Sequence, residues 1–169
     1  DVSSHFIGNW IYRVFKYALF AFAALILSFS CLADSVQVDR AWARATLPGQ
    51  SNSAVFLRLR NMGSESAMVI AAKAKGVKAV EIHKHEQEAG MMRMREVPVL
   101  DVPAKGQQLF APGGYHLMLF GVERALKAGE TVELELWLDD DTTVGFVAPI
   151  VNIFDEQAYV SLLTQQSAE

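Results

Sequence analysis

Between Val36 and Ile150 the chain repeats one pattern, runs of five to ten residues rich in alternating apolar and polar side chains, separated by Gly, Pro, Asn or Asp. "TVELELWL" (131–138) shows it most clearly. Val132, Leu134, Leu136 and Leu138 share one strand face, and Glu133, Glu135 and Trp137 share the other, because successive side chains of a strand point to opposite sides. Similar runs occur at 36–45, 53–61, 66–74, 79–86, 90–97, 107–111, 114–122 and 142–150, separated by turns such as "LPGQ", "NMGSE", "PAKG" and "APGG". No long 3.6-residue periodicity interrupts them, so the helical crossovers that a parallel sheet requires are missing. The pattern predicts an all-β fold, an antiparallel β-sandwich or small barrel. The last residues, 151–169, are expected to be a strand end fading into a tail or a short helix.

A chain of 169 residues with 51% hydrophobic content supports one domain with a real core. The N-terminal segment stands apart from it. Arg13 and Lys16 precede an apolar run from Tyr17 to about Leu27, and Cys31 and Ala33 occupy the positions a signal peptidase reads. Residues 1–33 are therefore expected to be an export leader cleaved after Ala33, leaving the β-strand domain to residues 34–150. A retained membrane anchor and lipidation at Cys31 are the disfavoured alternatives. The leucine that a lipidation signal usually carries three places before its cysteine is one place too early, at Leu27. Removing the leader takes away the only cysteine, so the mature domain has neither disulfide nor thiolate to rely on. A net charge of -4 offers no basic field for a nucleic-acid backbone.

Hydrolytic chemistry finds no support: neither G-x-S-x-G nor H-E-x-x-H occurs. The "DDD" turn at 139–141 lacks the spaced ligands of a calcium loop and is expected to be a charged connection. The histidines and methionines are more telling. All three histidines beyond the leader (His83, His85, His116) and four of the six methionines (Met91, Met92, Met94, Met118) lie between residues 83 and 118. Alternation puts His116 with Met118, Met92 with Met94, and His83 with His85 and Glu81. Each pair alone is compatible with ordinary packing, since methionine fills core gaps. Three strands offering such faces together point towards a metal.

The spacing carries more information than the pairs. Ten residues separate His83 from Met94, twenty-one separate Met94 from His116, and one separates His116 from Met118. In these positions, and in "RAWARATLPG", "GMMRMREV" and "PGGYHLMLFG", the chain resembles the PCuAC family of periplasmic copper chaperones over about Val36 to Pro149. The resemblance implies a cupredoxin-like, or more broadly immunoglobulin-like, β-sandwich that binds one Cu(I). It also implies delivery to the copper-binding subunit of a respiratory oxidase or to a Sco-type assembly protein. Carried over by position, the ligands are His83, Met94, His116 and Met118, with His85 and Met92 as secondary candidates. His85 and Glu86 beside His83 raise Cu(II) as a second cargo.

Chemistry agrees with that set. Thioethers are soft, uncharged donors suited to Cu(I), and imidazole strengthens the site without an oxidisable thiolate. A blue-copper electron carrier needs a cysteine that the mature chain lacks. Structural zinc favours Cys and His over methionine. The tail contains neither His nor Met, so no second site is expected there. Arg93 and Arg95 are expected to be a solvated strand face, the alternative being contact with an acidic partner. The expectation is a carrier and not an enzyme. A copper-dependent reductase using the same site, and a metal-free interaction domain, are the competing readings.

Overall fold

The alternation of "TVELELWL" is realised residue by residue: Val132, Leu134, Leu136 and Leu138 are buried, while the residues between them face solvent. The computed structural model describes residues 35–88 and 90–164; the expected leader and its cleavage point lie outside the described residues. Ten strands follow in order: β1 (Val36–Arg44), β2 (Ser53–Asn61), β3 (Ala67–Ala74), β4 (Val77–Glu88), β5 (Met91–Glu96), β6 (Leu100–Val102), β7 (Gln107–Phe110), β8 (Tyr115–Val122), β9 (Thr131–Leu138) and β10 (Thr143–Val151). Nine match the expected runs. The tenth, β6, is three residues flanked by Pro98 and Pro103, too short for alternation to be visible.

Eight strands form a closed barrel, in the order β4–β8–β7–β2–β1–β10–β9–β3, with Ala72 of β3 paired to Val80 of β4 completing the ring. β5 extends the sheet beyond β4 as a hairpin edge, and β6 pairs with β3. Two contacts depart from the antiparallel expectation. β1 runs parallel to β10 at Ala43–Ile150 and Arg44–Val151, and β7 parallel to β8 at Phe110–Tyr115. The first is a consequence of closure, because it brings the first and last strands side by side across nearly the whole domain.

The barrel interior holds Leu57, Leu59, Val69, Phe110, Leu117, Leu119 and Leu136. A second apolar cluster lies on the outer face, where Trp42, Ala54, Phe56 and Val151 pack under Leu163. The Trp42 ring centroid is 4.5 Å from that of Phe56 and 6.0 Å from that of Tyr159. β2 is consequently buried on both faces over most of its length. Farther along it, the buried Arg58 donates two hydrogen bonds to Asp39 on the facing strand β1, at 2.7 and 2.8 Å.

The cover over this cluster decides between the alternatives left open for the C-terminus. After Val151 the chain turns and forms α1 (Glu156–Thr164), a packed helix and not a strand end or tail. Tyr159, Val160 and Leu163 make one apolar stripe against Trp42 and Phe56. At only nine residues the helix has too few turns for its periodicity to stand out. Arg44 pairs with Glu156 in the first turn, and Arg40 donates to the Leu162 carbonyl near the other end. The acidic residue in the first turn also suits the positive end of the helix dipole.

Candidate metal centre

β4 is the central strand of the site, with β8 on one side and β5 on the other. The β4–β8 register places His83 directly opposite His116 and Glu81 opposite Met118. The β4–β5 register places His85 opposite Met94, Gln87 opposite Met92 and His83 opposite Glu96. Directly opposed residues of an antiparallel pair share a face. His83, His85, Met94, His116 and Met118 therefore stand on one face, the outside of the barrel, as alternation predicts. Ile82, Leu117 and Leu119 point the other way, into the core.

That face opens into a cleft of about 670 Å³, lined by His85, Met94, His116 and Met118 together with Arg44, Phe56 and the backbone around Gly113. Three of the four positions expected as primary ligands, Met94, His116 and Met118, line it. His83, the fourth, lies on the same face with its ring centroid 5.9 Å from that of His116, but it does not line the cleft. His85, a secondary candidate, does, and its ring stacks on His116 at 5.0 Å with 27° between planes. Met92, the other secondary candidate, is exposed opposite Gln87 and outside the cleft lining. The polar segment "HKHEQE" is part of β4 itself.

Local backbone chemistry holds His116 in place. "APGG" makes a tight turn in which the Gly114 N–H donates to the Ala111 carbonyl at 2.9 Å, with Gly113 at φ +82°. That left-handed conformation, following Pro112, is the one a type II turn needs glycine for. The turn presents the Gly114 carbonyl to two donors, the backbone N–H of His85 at 3.3 Å and Nδ1 of His116 at 3.2 Å. A carbonyl only accepts, so Nδ1 of His116 carries the proton and Nε2 keeps its lone pair. The ring is only 3% exposed. Burial above all lowers its pKa; the bond to Gly114 works against that, and the nearby His85, His83 and Arg44 charges add to the lowering.

His83 is oriented differently. Its Nε2 lies 2.8 Å from a carboxylate oxygen of Glu81, which leaves Nδ1 as the free donor atom. Nδ1 of His83 and Nδ1 of His85 are both buried and without a hydrogen-bond partner in the structure. A histidine steadied by a carboxylate on its other nitrogen is the common arrangement behind a metal ligand. The sequence reading put Glu81 on this face without assigning it that role; the signal was its position two residues before His83.

Behind the cleft, α1 bears on the site through one chain of contacts. Glu156 holds Arg44 through two hydrogen bonds, Arg44 lies 5.4 Å above the Phe56 ring, and that ring is 6.3 Å from His116. Sequence reasoning missed Arg44 and Phe56, because only folding brings β1, β2 and α1 beside β8.

Among the described residues, no three His, Cys, Asp or Glu side chains gather so as to hold a metal ion by themselves. The cleft lining adds the thioethers of Met94 and Met118, donors of a kind that suits a soft ion. The remaining charged features have ordinary explanations. Arg95 pairs with Glu88 at 2.6 Å and Arg93 with Glu88 at 3.6 Å, a solvated ion-pair network. In the "DDD" turn, Asp139 accepts from the Met68 N–H and Asp140 from Thr142, so these carboxylates serve as turn acceptors.

The sequence pattern of the LpqE-like lipoprotein family matches residues 36–150. A Leifsonia xyli subsp. xyli protein that carries the name lipoprotein Lxx21020 is 32% identical over 119 residues, covering 70% of each chain. Among solved structures, the Cu(I) form of DR1885 from Deinococcus radiodurans is 28% identical, with a TM-score of 0.59 over 74% of this chain and 84% of that one. The copper-bound PCuAC domain of PmoF2 has a TM-score of 0.60 over 70% of this chain and 93% of that one. At 19% identity it bears on the fold alone.

Proposed function

Because the chain belongs to the LpqE-like lipoprotein family and shares the cupredoxin-like fold of PCuAC domains, we propose that it is an exported copper carrier. In this reading it binds one Cu(I) through His and Met side chains and gives it up to an acceptor. The observation that carries the reading is the convergence of Met94 from β5 with His116 and Met118 from β8 in one cleft. The two strands are separated by β4 and do not pair with each other.

The chemistry of the donors supports the choice of ion. Two neutral sulfurs and neutral imidazole nitrogens suit a soft monovalent cation. His116 presents Nε2 from a fixed ring, and His83 presents Nδ1 with Glu81 behind it. Met94 is 47% exposed at the edge of the sheet, whereas His116 is sealed. One side of the donor set is thus rigid and the other accessible. This suits transfer by ligand exchange, in which an acceptor's donor atom replaces Met94 while His116 still holds the ion.

The proposed acceptor is the copper-binding subunit of a respiratory oxidase or a Sco-type assembly protein, and the proposed location is outside the cytoplasmic membrane. The name of the family and of its Leifsonia relative supports export. No helix among the described residues is long and apolar enough to cross a membrane. The test is titration of the full chain with Cu(I) against a competing chelator. Near-stoichiometric tight binding, strongly weakened in Met94→Ala and His116→Ala, is expected. Binding indifferent to both substitutions overturns the reading. Incubation of the loaded protein with an apo oxidase-subunit domain separates a carrier, which loses its copper, from a redox enzyme, which keeps it.

A further inference from the structure

β4 carries two histidines on the same face, and they are not equivalent. His85 lines the cleft with Met94, His116 and Met118, whereas His83 is held by Glu81 and lies outside the lining. The register explains the difference. His85 is directly opposite Met94, while His83 is opposite Glu96 on the β5 side and meets Met94 only diagonally. On the β8 side the order reverses, with His83 directly opposite His116 and His85 level with the turn at Gly114. Each β4 histidine is thus adjacent to a different half of the donor set. His116 lies within reach of both, at 5.9 Å from His83 and 5.0 Å from His85 between ring centroids.

We propose that His85 is a copper ligand of this protein, sharing one coordination position with His83. Cu(I) in the cleft takes its β4 nitrogen from either His85 or His83, while Met94, His116 and Met118 supply the rest. The proposal rests on the copper-carrier reading and adds a fifth donor to it. Nδ1 of each β4 imidazole is buried without a hydrogen-bond partner, and such a polar atom is costly to leave unsatisfied. A bond to the metal would satisfy one of them at a time. The exchange is neutral in charge and electrons: one nitrogen–copper bond forms as the other breaks, and the ion remains Cu(I). Two interchangeable nitrogens also give the bound ion a short step between the cleft side of the face and the Glu81 side.

The redundancy makes the idea testable by substitution on the full chain. The expected result is that His83→Ala and His85→Ala each retain tight Cu(I) binding, weakened about tenfold or less. The double variant should lose far more than the two single losses combined, since it removes the position itself. A second readout needs no variant: on Cu(I) addition to the unaltered protein, the ring nitrogen resonances of both His83 and His85 are expected to shift. His85→Ala binding like the unaltered chain, with His83→Ala as weak as the double variant and the His85 ring resonances unmoved, overturns the proposal. His85→Gln, which keeps a polar side chain of similar reach on the strand, serves as the control for folding. Failure of the unaltered chain to bind Cu(I) overturns the carrier reading instead, so the two failures are distinguishable.

Discussion

Nδ1–H of His116 donates to the Gly114 carbonyl, two residues earlier on the same strand end, from a ring almost sealed from solvent. The turn that makes this bond also fixes which nitrogen stays free, so in the proposed copper site the local backbone would orient the β8 histidine before any ion arrives.

The first prediction concerns pH. Burial, foremost, holds the His116 pKa below its ordinary value of 6.5, so the folded protein resists protonation there. As pH falls from about 6.5 towards the lowered value, the unfolded chain binds more protons than the folded one, and stability declines. Below the folded-state value the loss is complete and the contribution levels off. Denaturant unfolding of the metal-free protein at several pH values should show this slope, and His116→Gln should remove it.

Selectivity among metals is the second. The proposed donor set mixes imidazoles with two thioethers, and no three His, Cys, Asp or Glu side chains among the described residues gather to hold a metal by themselves, so Zn²⁺ would have to accept poorly suited sulfurs. Competition titrations should therefore show far weaker binding of Zn²⁺ than of Cu(I). Met118→Ala and Met94→Ala should each lower Cu(I) affinity at least as much as the roughly 10–100-fold that loss of a ligand's orienting partner costs, while leaving Zn²⁺ binding nearly unchanged. A Zn²⁺ affinity equal to that for Cu(I) would contradict the role given to the sulfurs.

The third tests the ion pair on the barrel's outer face. Arg58 is 5% exposed and bonds twice to Asp39, which is 33% exposed. Asp39→Ala leaves a buried guanidinium without its main counter-charge and should cost about 2–3 kcal/mol, at or just below the low end for breaking a buried pair because Asp39 remains partly solvated. Equilibrium unfolding of the variant gives the number directly.

The fourth asks whether α1 belongs to the domain. Leu163 is 2% exposed between Trp42, Phe56 and Val151. Leu163→Ala should lower unfolding stability by about 2–4 kcal/mol through lost burial and the cavity left behind. A change below about 0.5 kcal/mol would mean that the helix is an appendage, since surface substitutions usually stay within that range.

Most of the barrel was legible because strand burial has a period of two: nine of ten strands and the inward face of β9 follow from alternation and turn residues. What escaped has physical reasons. β6 is a single apolar–polar–apolar triplet, too short to stand out between its prolines, and α1, left as an alternative to a tail, has only one apolar stripe across nine residues. Its burial depends on an outer cluster assembled from β1, β2 and β10, which no local window contains.

The sequence by itself determined which of the candidate donors share a face. A residue's parity along a strand decides its side of the sheet, so His83 with His85, Met92 with Met94, and His116 with Met118 were each bound to share a face. Parity is blind to position along the neighbouring strand. Only the tertiary structure decided that His85 meets Met94, that His83 meets His116, and that Glu81 takes hold of His83. Those pairings are set by the ladders of β4 with β5 and β8 and by the Gly114 turn. They are relations between backbones distant in sequence, which a pattern of side chains along one strand does not encode.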